Sequence, residues 1–336
     1  MTELVATTPG LLPLPDWAKG ELSDLKGHQK SDLIDGTEGE DVTEAYDRVR
    51  TEELEWQTEA GLDRVVEGQG RWDDNIAHPL AVSDAVDTRG IVRYYDNNNF
   101  YREPVVTDEL AASGDVAAEL DAAAELLEAD AGGLQAVLPG PYSLADLATD
   151  EHYGDEAAFL DAVADFLVDE VDGFPGVETL FLLEPSLVEN PPEEGADERA
   201  SAAIDRVAGA TDAEVVCHTY WGAVPEKAYA HLMDADLDAI GFDFVSDHEA
   251  NLYNITEYGT TDDIALGLVD GQNTRVESVE TVRDRVEWVN EQVPAQSFET
   301  TYLTANTELF YLPVNRAREK LDVLARAAAG ETEVEA

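Results

Sequence analysis

The chain has 336 residues, 44% of them hydrophobic, and 74 acidic against 20 basic residues give it a formal net charge of -54. Such a negative surface repels phosphates and anionic lipid headgroups, which excludes a nucleic-acid-binding or membrane-surface protein. The acidic residues are spread through every segment, which is typical of a halophilic, acidic proteome, where the Debye length falls to about 3 Å at molar salt.

The cysteine content and the first residues bear on the compartment. Cys217 is the only cysteine, so no intrachain disulfide and no cysteine-rich zinc site can form. The start of the chain has no basic segment, and no later run approaches about 18 apolar residues. We therefore expect a cytoplasmic protein.

The first part of the chain predicts a strand, a long loop and a helix. Residues 4–7 predict a short first strand. Residues 11–40 are rich in proline, glycine and polar side chains, which is typical of a long loop with a helical turn. Residues 41–60 have apolar side chains at helical spacing. We assign residues 1–40 to an N-terminal loop and first strand that precede the main domain.

Residues 89–104 collect aromatic, amide and basic side chains at a density that a folded interior rarely reaches without a use. One interpretation is a contact with a substrate or partner. The other is a β-hairpin whose tip, residues 97–99, adopts positive φ while its tyrosines pack locally. The residues alone leave both interpretations open.

From Gly114 onward, apolar strands and periodic helices alternate. Over the whole chain, eight strands are predicted, at residues 4–7, 61–67, 134–138, 178–183, 213–219, 237–244, 264–269 and 298–303. Helices are predicted at residues 120–131, 155–171, 197–208, 225–233, 248–254, 278–290 and 314–327.

This βα alternation predicts an α/β fold, a single (β/α)8 TIM-type barrel. We assign residues 41–328 to the barrel, with the 89–104 hairpin inserted, and residues 329–336 to an acidic disordered tail. An open doubly wound sheet is the alternative, but the chain has no glycine-rich phosphate loop after an early strand.

In such barrels the active face is the C-terminal end of the strands. The polar residues predicted there are Glu184, His218, Tyr220, Asp243, Asp270, Asn273, Thr304 and Asn306. Carboxylates around one histidine suit a metal site or an acid–base pair. Zinc needs three or four converging ligands, yet Cys217 and His218 are neighbours on a strand and point to opposite faces, so they cannot share a metal.

Each candidate catalytic residue also has a structural interpretation. Glu184 can end a strand and accept backbone hydrogen bonds, Asp270 can form a turn, and His218 can be a hydrogen-bonded rim histidine. The remaining histidines have no partner at ligand spacing and are predicted at the surface: His28, His78, His152, His231 and His248.

Several of these segments share a further pattern. They are Asp96-Asn97-Asn98 between aromatic pairs and followed by Pro104, Gly140-Pro141-Tyr142-Ser143, Glu184-Pro185-Ser186-Leu187, His218-Thr219-Tyr220-Trp221-Gly222, Gly267-Leu268-Val269-Asp270-Gly271-Gln272-Asn273, and the helix with Lys320-Leu321. Together they resemble cobalamin-independent methionine synthase, over most of the chain. The resemblance implies a barrel fold and a role in methyl transfer to homocysteine, by an enzyme made of two related barrels.

The resemblance also implies which barrel this is. The family's C-terminal barrel holds zinc on a His-x-Cys pair, a Glu and a second Cys, and activates the homocysteine thiol. Here His218 matches the first ligand, but Tyr220 replaces the paired Cys, and Thr304-Ala305-Asn306 ends the last strand without a Cys. No metal is therefore expected on this chain. The hairpin and the segments around Tyr220 and Asp270 are similar to the N-terminal barrel, which is non-catalytic by itself.

The family's N-terminal barrel holds the glutamate tail of folate through an early basic stretch and a hairpin lysine. Ser23-Asp24-Leu25-Lys26 matches the stretch in part, and Arg93 replaces the lysine. With Lys19 they are expected to form a polyanion clamp, although arginine and lysine differ as donors. The substrate-binding residues expected from the resemblance are Lys26, Arg93, Asp96, Asn98, Tyr220, Asp243 and Asn273.

Three hypotheses follow. The leading one is an N-terminal-type barrel that acts with a separately encoded zinc-bearing barrel, on a small-molecule substrate with a methylated folate or another methyl donor. The second is a free-standing barrel hydrolase in which Glu184, with Asp243 or Asp270, serves as acid and base. The third is a homo-oligomeric, zinc-independent methyltransferase that binds another donor, with His218 as the thiol-activating residue.

Overall fold

The computed structural model describes residues 2–22, 28–93, 95, 100–128 and 131–331. One sheet contains the strands β1 (Glu3–Ala6), β2 (Arg64–Val66), β5 (Gly133–Pro139), β7 (Thr179–Leu183), β8 (Glu214–His218), β9 (Ala239–Asp243), β10 (Asp263–Val269) and β11 (Thr300–Ala305). A smaller sheet contains β3 (Val86–Arg93), β4 (Phe100–Val106) and β6 (Thr149–Asp150).

The helices lie between these strands and after the last one. They are α1 (Asp16–Leu22), α2 (His28–Ile34), α3 (Glu40–Ala60), α4 (His78–Ala81), α5 (Asp115–Leu126), α6 (Pro141–Leu147), α7 (Glu156–Asp172), α8 (Ser186–Glu189), α9 (Ala196–Ala208), α10 (Glu226–Leu232), α11 (His248–Tyr258), α12 (Val279–Gln292) and α13 (Val314–Ala328). No described helix combines the length and the apolar character needed to cross a lipid bilayer.

The large sheet is parallel throughout, and its order is β1-β11-β10-β9-β8-β7-β5-β2. Its two end strands approach each other, because the Asp63 amide donates to the Ala6 carbonyl at 3.0 Å and the Leu12 amide donates to the Gly68 carbonyl at 3.0 Å. The sheet is therefore a nearly closed barrel with helices outside. The predicted TIM-type fold is confirmed, and every predicted barrel strand overlaps an observed one.

Side chains alternate along each strand between the barrel interior and the helical layer. The interior cluster contains Val5, Val66, Val137, Phe181, Val216, Ala239, Ala265 and Tyr302. Cys217 belongs instead to the cluster beneath the helices, with Leu182 and Ile240. The ring of His218 lies 6.0 Å from that of Phe181, inside the barrel. Cys217 and His218 thus point to opposite faces, as predicted.

The small sheet covers the C-terminal end of the barrel. β3 and β4 pair antiparallel, while the tip at residues 97–99 lies outside the described residues. The Tyr101 hydroxyl donates to the Leu147 carbonyl at 2.8 Å, and the Tyr95 hydroxyl lies 2.7 Å from Ser186 Oγ. The hairpin is thereby tied to α6 and α8, the helices that follow β5 and β7.

Two segments differ from their predicted secondary structure. Residues 11–40, predicted as a loop with one helical turn, contain both α1 and α2. The helix predicted at residues 120–131 is α5, which begins at Asp115 and ends at Leu126. It starts earlier because Gly114, with φ of 74°, redirects the chain and Val116 already packs in the core.

The prediction that His78 lies at the surface is wrong. His78 is fully buried, and its ring stacks on Trp72 at 4.7 Å. Its Nε2 lies 3.2 Å from Asp115 Oδ2, and its Nδ1 accepts from the Asp73 amide at 3.3 Å. Burial lowers the pKa of His78, an effect that the Asp115 carboxylate opposes. Because Asp115 is 37 positions away in the chain, no local spacing could indicate this contact.

Candidate functional site

Polar residues from four strands converge at the C-terminal end of the barrel. His218 and Asp243 are the last residues of β8 and β9, Glu184 directly follows β7, and Asn306 directly follows β11. All four are buried. Since the four strands are parallel members of one sheet, their C-terminal ends bring these side chains to one rim, where TIM-type barrels carry their active sites.

His218 is held as a neutral imidazole. Its Nε2 lies 2.9 Å from the Asn306 carbonyl, and because a carbonyl only accepts, Nε2 carries the hydrogen. Nδ1 faces Gly241 on β9 so closely that a methyl group there would come within 2.3 Å of it. Burial lowers the pKa of His218, while the Asn306 carbonyl and the Asp243 charge act in the opposite direction.

The carboxylate of Asp243 is fully occupied by hydrogen bonds. Oδ1 accepts from the Val245 and Ser246 amides at 2.9 and 2.8 Å, and Oδ2 accepts from the Trp221 amide at 2.9 Å and from Ser246 Oγ at 2.6 Å. The Asn306 side-chain amide donates to both oxygens at 3.1 Å. Asp243 therefore ties together the loops that follow β8, β9 and β11.

An aromatic group lies beside these residues. Trp221 has a positive φ of 71°, unusual for a bulky residue, and its amide is held by Asp243. Its ring packs edge-on against Tyr220 at 4.8 Å and against Tyr95 at 5.3 Å. Tyr220 is buried beneath it, 5.9 Å from the His218 ring. The hairpin and the barrel thus meet through aromatic contacts over the rim.

Glu184 caps α6. Its carboxylate accepts from the Tyr142 amide at 3.0 Å, the Ser143 amide at 2.8 Å and Ser143 Oγ at 2.6 Å. Gly140 leaves the space for this approach, since a methyl group there would lie 2.2 Å from the carboxyl carbon. Burial raises the pKa of Glu184 to about 7, against the lowering effect of its Ser143 and Tyr142 bonds.

Other predicted site residues bond within their own loops. Asp270 Oδ1 accepts from the Gln272 amide at 2.9 Å, which forms a turn. Asn273 is exposed, and its Oδ1 accepts from the Arg275 amide at 3.0 Å. Neither is brought into contact with His218 or Glu184 by a hydrogen bond among the described residues.

The predicted polyanion clamp is only partly visible. Lys26, Asp96 and Asn98 lie outside the described residues. Arg93 is exposed on β3, with its guanidinium 5.5 Å from the Phe100 ring centre. The exposed Lys19 lies 3.5 Å from Asp16. The clamp therefore stays a prediction.

Two buried acids at the same rim were missed from the sequence. Glu308 follows β11 by three residues and is 3% exposed, and Asp74, in the loop after β2, is 7% exposed. The position of Glu308 in the sequence could have indicated it, because Glu308 lies only two residues beyond Asn306, which was predicted at the rim. Asp74 carried no comparable signal, because a Trp-Asp-Asp-Asn sequence is equally typical of a surface turn.

The donors at the rim do not fit a zinc ion. A structural or catalytic zinc needs at least three converging protein ligands. His218 Nε2 is hydrogen-bonded to the Asn306 carbonyl, and the Asp243 oxygens accept five donor groups. Tyr220 occupies the position at which the resemblance implies a zinc-binding cysteine. Within the described ranges, no group of three or more His, Cys, Asp or Glu residues is arranged to hold a metal.

A family model provides the first comparison with known proteins. The model described as "Cobalamin-independent synthase, N-terminal domain" matches residues 83–294, which is more than half of the chain.

Curated relatives are similar over different shares of their length. The chain is 23% identical over 286 residues to "Methionine synthase" of Saccharolobus islandicus (strain L.S.2.15 / Lassen #1), a match that covers 84% of this chain and 82% of that protein. It is 24% identical over 249 residues to "5-methyltetrahydropteroyltriglutamate--homocysteine methyltransferase" of Bacillus velezensis, covering 72% of this chain and 31% of that protein.

Solved structures share the fold. A B12-independent methionine synthase from Shewanella sp. W3-18-1, in complex with selenomethionine, superposes with a TM-score of 0.78 at 19% identity, covering 98% of this chain and 97% of that one. A methyltransferase from Methanosarcina mazei has a TM-score of 0.62 at 10% identity, covering 98% and 94%. At these identities the likeness shows the barrel architecture alone.

Proposed function

The chain belongs to the cobalamin-independent methionine synthase family, and on that premise we propose that it supplies the N-terminal-type barrel of a methionine synthase whose zinc-bearing barrel is a separate chain. In this proposal the partner activates the homocysteine thiol on zinc. This chain helps to hold the methyl donor, a methylated folate or another donor, and the reaction forms methionine.

The observation that carries the proposal is the bonding of the rim residues. At the place where the resemblance implies zinc, Asn306 joins His218 to Asp243 through hydrogen bonds. A thiol brought to this rim would meet a neutral imidazole whose Nε2 is occupied and whose Nδ1 faces Gly241. Such a rim lacks the means to generate a thiolate, so the activation is assigned to another barrel.

The match to the family's N-terminal domain supports the same assignment, and so does the Bacillus relative, of which the match covers 31%. A single barrel that matches only about a third of a longer protein is what we expect if the longer protein contains two barrels. We further place the protein in the cytoplasm of a cell with high internal salt, because a net charge of -54 needs strong screening.

Among the proposed donor contacts, Arg93 is the described residue best placed to act. It is exposed on the hairpin over the rim, and it is one of 20 basic residues in an acidic chain. Lys26, Asp96, Asn98, Tyr220 and Asn273 complete the proposed set. Asp243, whose oxygens are occupied, supports the set by holding the Trp221 amide.

Reconstitution tests the proposal. The chain is mixed with a cysteine-bearing family barrel from the same genome, and methionine formation from homocysteine and a methyl donor is followed. The mixture is expected to be active when each barrel alone is not. The proposal would be contradicted if mixing produced no complex and no change in rate.

A charge variant sharpens the test. Arg93→Gln is expected to raise the KM for a polyglutamylated donor by about 10-fold, since a charge-assisted hydrogen bond is worth roughly 1.5–3 kcal/mol. Arg199→Gln removes an exposed arginine of α9 and serves as the matched control. Equal KM values for the two variants would remove Arg93 from the site.

A self-contained methyltransferase is the second candidate. It is favoured by the Saccharolobus relative, of which the match covers 82%, because a protein of similar length carries the name methionine synthase. Methyl transfer by the pure chain, without any partner, would select it. The hydrolase alternative has less support, since Glu184 caps α6 and the Asp243 oxygens are occupied.

A further inference from the structure

A fully buried lysine lies on the apolar face of the last helix. In α13, Ala317, Leu321 and Leu324 recur at helical spacing and pack in the core, and Lys320 shares their face. Lys320 is 0% exposed. A lysine is almost never fully buried unless its charge is paired, because removing an ammonium group from water is costly. The burial of Lys320 therefore needs a reason beyond the packing of α13.

The ammonium group of Lys320 holds the segment that joins β10 to α12, residues 270–277, which we call the β10–α12 loop. Nζ donates to Glu277 Oε2 and to the Arg275 carbonyl, both at 2.6 Å. Glu277 Oε1 accepts from the Asp270 amide at 3.1 Å, so one carboxylate joins the two ends of the loop. Hydrogen bonds to charged groups are shorter and stronger than neutral ones, and the pair of Lys320 and Glu277 thus fixes the loop from the side of α13.

The β10–α12 loop contacts the rim through Gly271. The Gly271 amide donates to Asn306 Oδ1 at 2.9 Å. Since an N–H group only donates, this bond turns the side-chain oxygen of Asn306 toward Gly271 and its NH2 group toward Asp243. A methyl group on Gly271 would come within 2.5 Å of Thr307 Oγ1, so the loop lies directly against the segment that follows β11. The orientation of Asn306 therefore depends on where the loop lies.

Hydrogen bonds thus connect the helical layer to the imidazole at the rim. They lead from Lys320 through Glu277 to the β10–α12 loop, and from the loop through Asn306 to His218. The first of these residues lies on α13, outside the barrel, and the last lies inside it. A side chain far along the sequence from the rim is therefore in a position to hold the rim in place.

The loop held in this way carries exposed polar residues. Residues 272–275, Gln-Asn-Thr-Arg, are all exposed, at the end of the barrel where ligands of TIM-type barrels bind. Asn273, one of the four, belongs to the proposed donor-binding set. A loop that is already ordered binds a ligand more tightly than a mobile one, because less conformational freedom is lost on binding. Release of the loop should therefore weaken binding without changing the reacting groups.

We propose that Lys320 is a positioning residue of the rim. Through Glu277 it fixes the β10–α12 loop against Asn306, and it thereby presents the exposed residues of the loop to the methyl donor. The statement about the donor rests on the function proposed above, whereas the statement about the loop rests on this chain alone.

Hydrogen exchange of the full chain tests the position of the loop. Lys320→Met keeps an unbranched apolar side chain and removes the ammonium group. Exchange followed by mass spectrometry should become at least about 10-fold faster over residues 270–277 and 306–308 and stay unchanged over β5 and β7. Arg316→Met, which removes a partly exposed cation of α13 paired with Glu319, is the matched control and should exchange like wild type. Unchanged exchange of the loop in folded Lys320→Met would overturn the proposal.

A double variant separates positioning from stability. Lys320→Met leaves Glu277 nearly buried without its counter-charge, which destabilises the fold, whereas Lys320→Met/Glu277→Leu removes both charges and should return the urea midpoint toward that of wild type. The double variant still lacks the bonds to the Arg275 carbonyl and the Asp270 amide, so its loop should exchange as fast as in the single variant. A loop as protected as in wild type would show that the pair serves folding alone, which would overturn the proposal.

Kinetics of the reconstituted enzyme test the role toward the donor. Because the partner barrel is proposed to activate the thiol, the double variant should raise the KM for the methyl donor about 10-fold and change kcat by less than about twofold. A lower kcat at unchanged KM would contradict a role in positioning the donor. If the wild-type mixture forms no methionine, the proposed function fails, and hydrogen exchange alone decides whether Lys320 positions the loop.

Discussion

Single residues explain why the described donors at the rim do not fit a zinc ion. The backbone carbonyl of Asn306 accepts a hydrogen bond from His218, and its side-chain amide donates to Asp243. One residue therefore engages both groups that could otherwise bind a metal. Gly241 completes the arrangement, because a side chain at this position would collide with the imidazole of His218. Burial thus favours the neutral form of His218, and the hydrogen bond to the Asn306 carbonyl fixes which ring nitrogen carries the hydrogen.

Gly241→Ala tests this packing. The added methyl group would lie 2.3 Å from His218 Nδ1 and 3.0 Å from its Cα, so the histidine must move. Overpacking of this kind costs about 1–3 kcal/mol in the free energy of unfolding, which urea denaturation measures. Gly90→Ala, on exposed β3 with open space around it, is the control and should change stability little. Equal stability of the two variants would show that His218 is not confined.

At the scale of elements, the hairpin of β3 and β4 combines a mostly exposed strand, β3, with a strand, β4, whose last residues are buried. Its ties include the Tyr101 bond to Leu147, the Tyr95 contacts with Ser186 and Trp221, and ion pairs from Arg102 to Asp73 and from Arg89 to Glu151. Most of β3 is exposed. Elements with few buried contacts open locally at lower free energy than the core, so the hairpin should exchange its amide hydrogens before the barrel strands do.

Tyr101→Phe is expected to loosen the hairpin without unfolding the barrel. Loss of the 2.8 Å bond to Leu147 leaves a buried carbonyl unpaired and costs about 1 kcal/mol. Hydrogen exchange followed by mass spectrometry should show faster exchange over residues 86–106 and unchanged exchange over β8 and β9. Tyr253→Phe, on an exposed face of α11, is the matched control. Uniformly faster exchange throughout the chain would contradict a local role.

The elements also show what the sequence could and could not predict. The barrel strands were predictable because each is a short apolar run bounded by turn residues, as in 178–183, and such runs depend on local composition. The start of α5 was missed because Asp115 and Val116 precede the leucine-rich part of the helix. At the site, the rim positions of His218 and Asp243 followed from strand ends. Their bonds to Asn306 did not, since they join residues 88 and 63 positions apart.

At the scale of the whole molecule, buried acids make stability depend on pH. Burial is the largest cause that raises the pKa of Glu67 and Glu308 to about 8 and that of Glu184 to about 7. It also raises the pKa of Glu53 well above its usual range. The unfolded chain releases these protons near pH 4.5, so the folded state holds more protons than the unfolded state between pH 4.5 and pH 8.

The free energy of unfolding is therefore expected to fall as the pH rises from 6.5 to 8. His78 and His218, whose pKa values are lowered, act in the opposite direction only below about pH 6.5, where the unfolded chain takes up protons. The loss should be about 2–4 kcal/mol, measured by urea denaturation at constant salt. Glu67→Gln should make the dependence shallower. Stability that rises with pH in this window would contradict the assignment of protonated buried acids.

Zinc content of the pure protein is the most direct measurement of the central claim, that this barrel does not carry the metal of its family. The protein is expressed in zinc-supplemented medium and purified by gel filtration without chelator, and its zinc content is measured by elemental mass spectrometry. We expect far less than one zinc per chain, and the same low value in His218→Ala. One zinc per folded chain, lost in His218→Ala, would contradict the account and place thiol activation on this barrel.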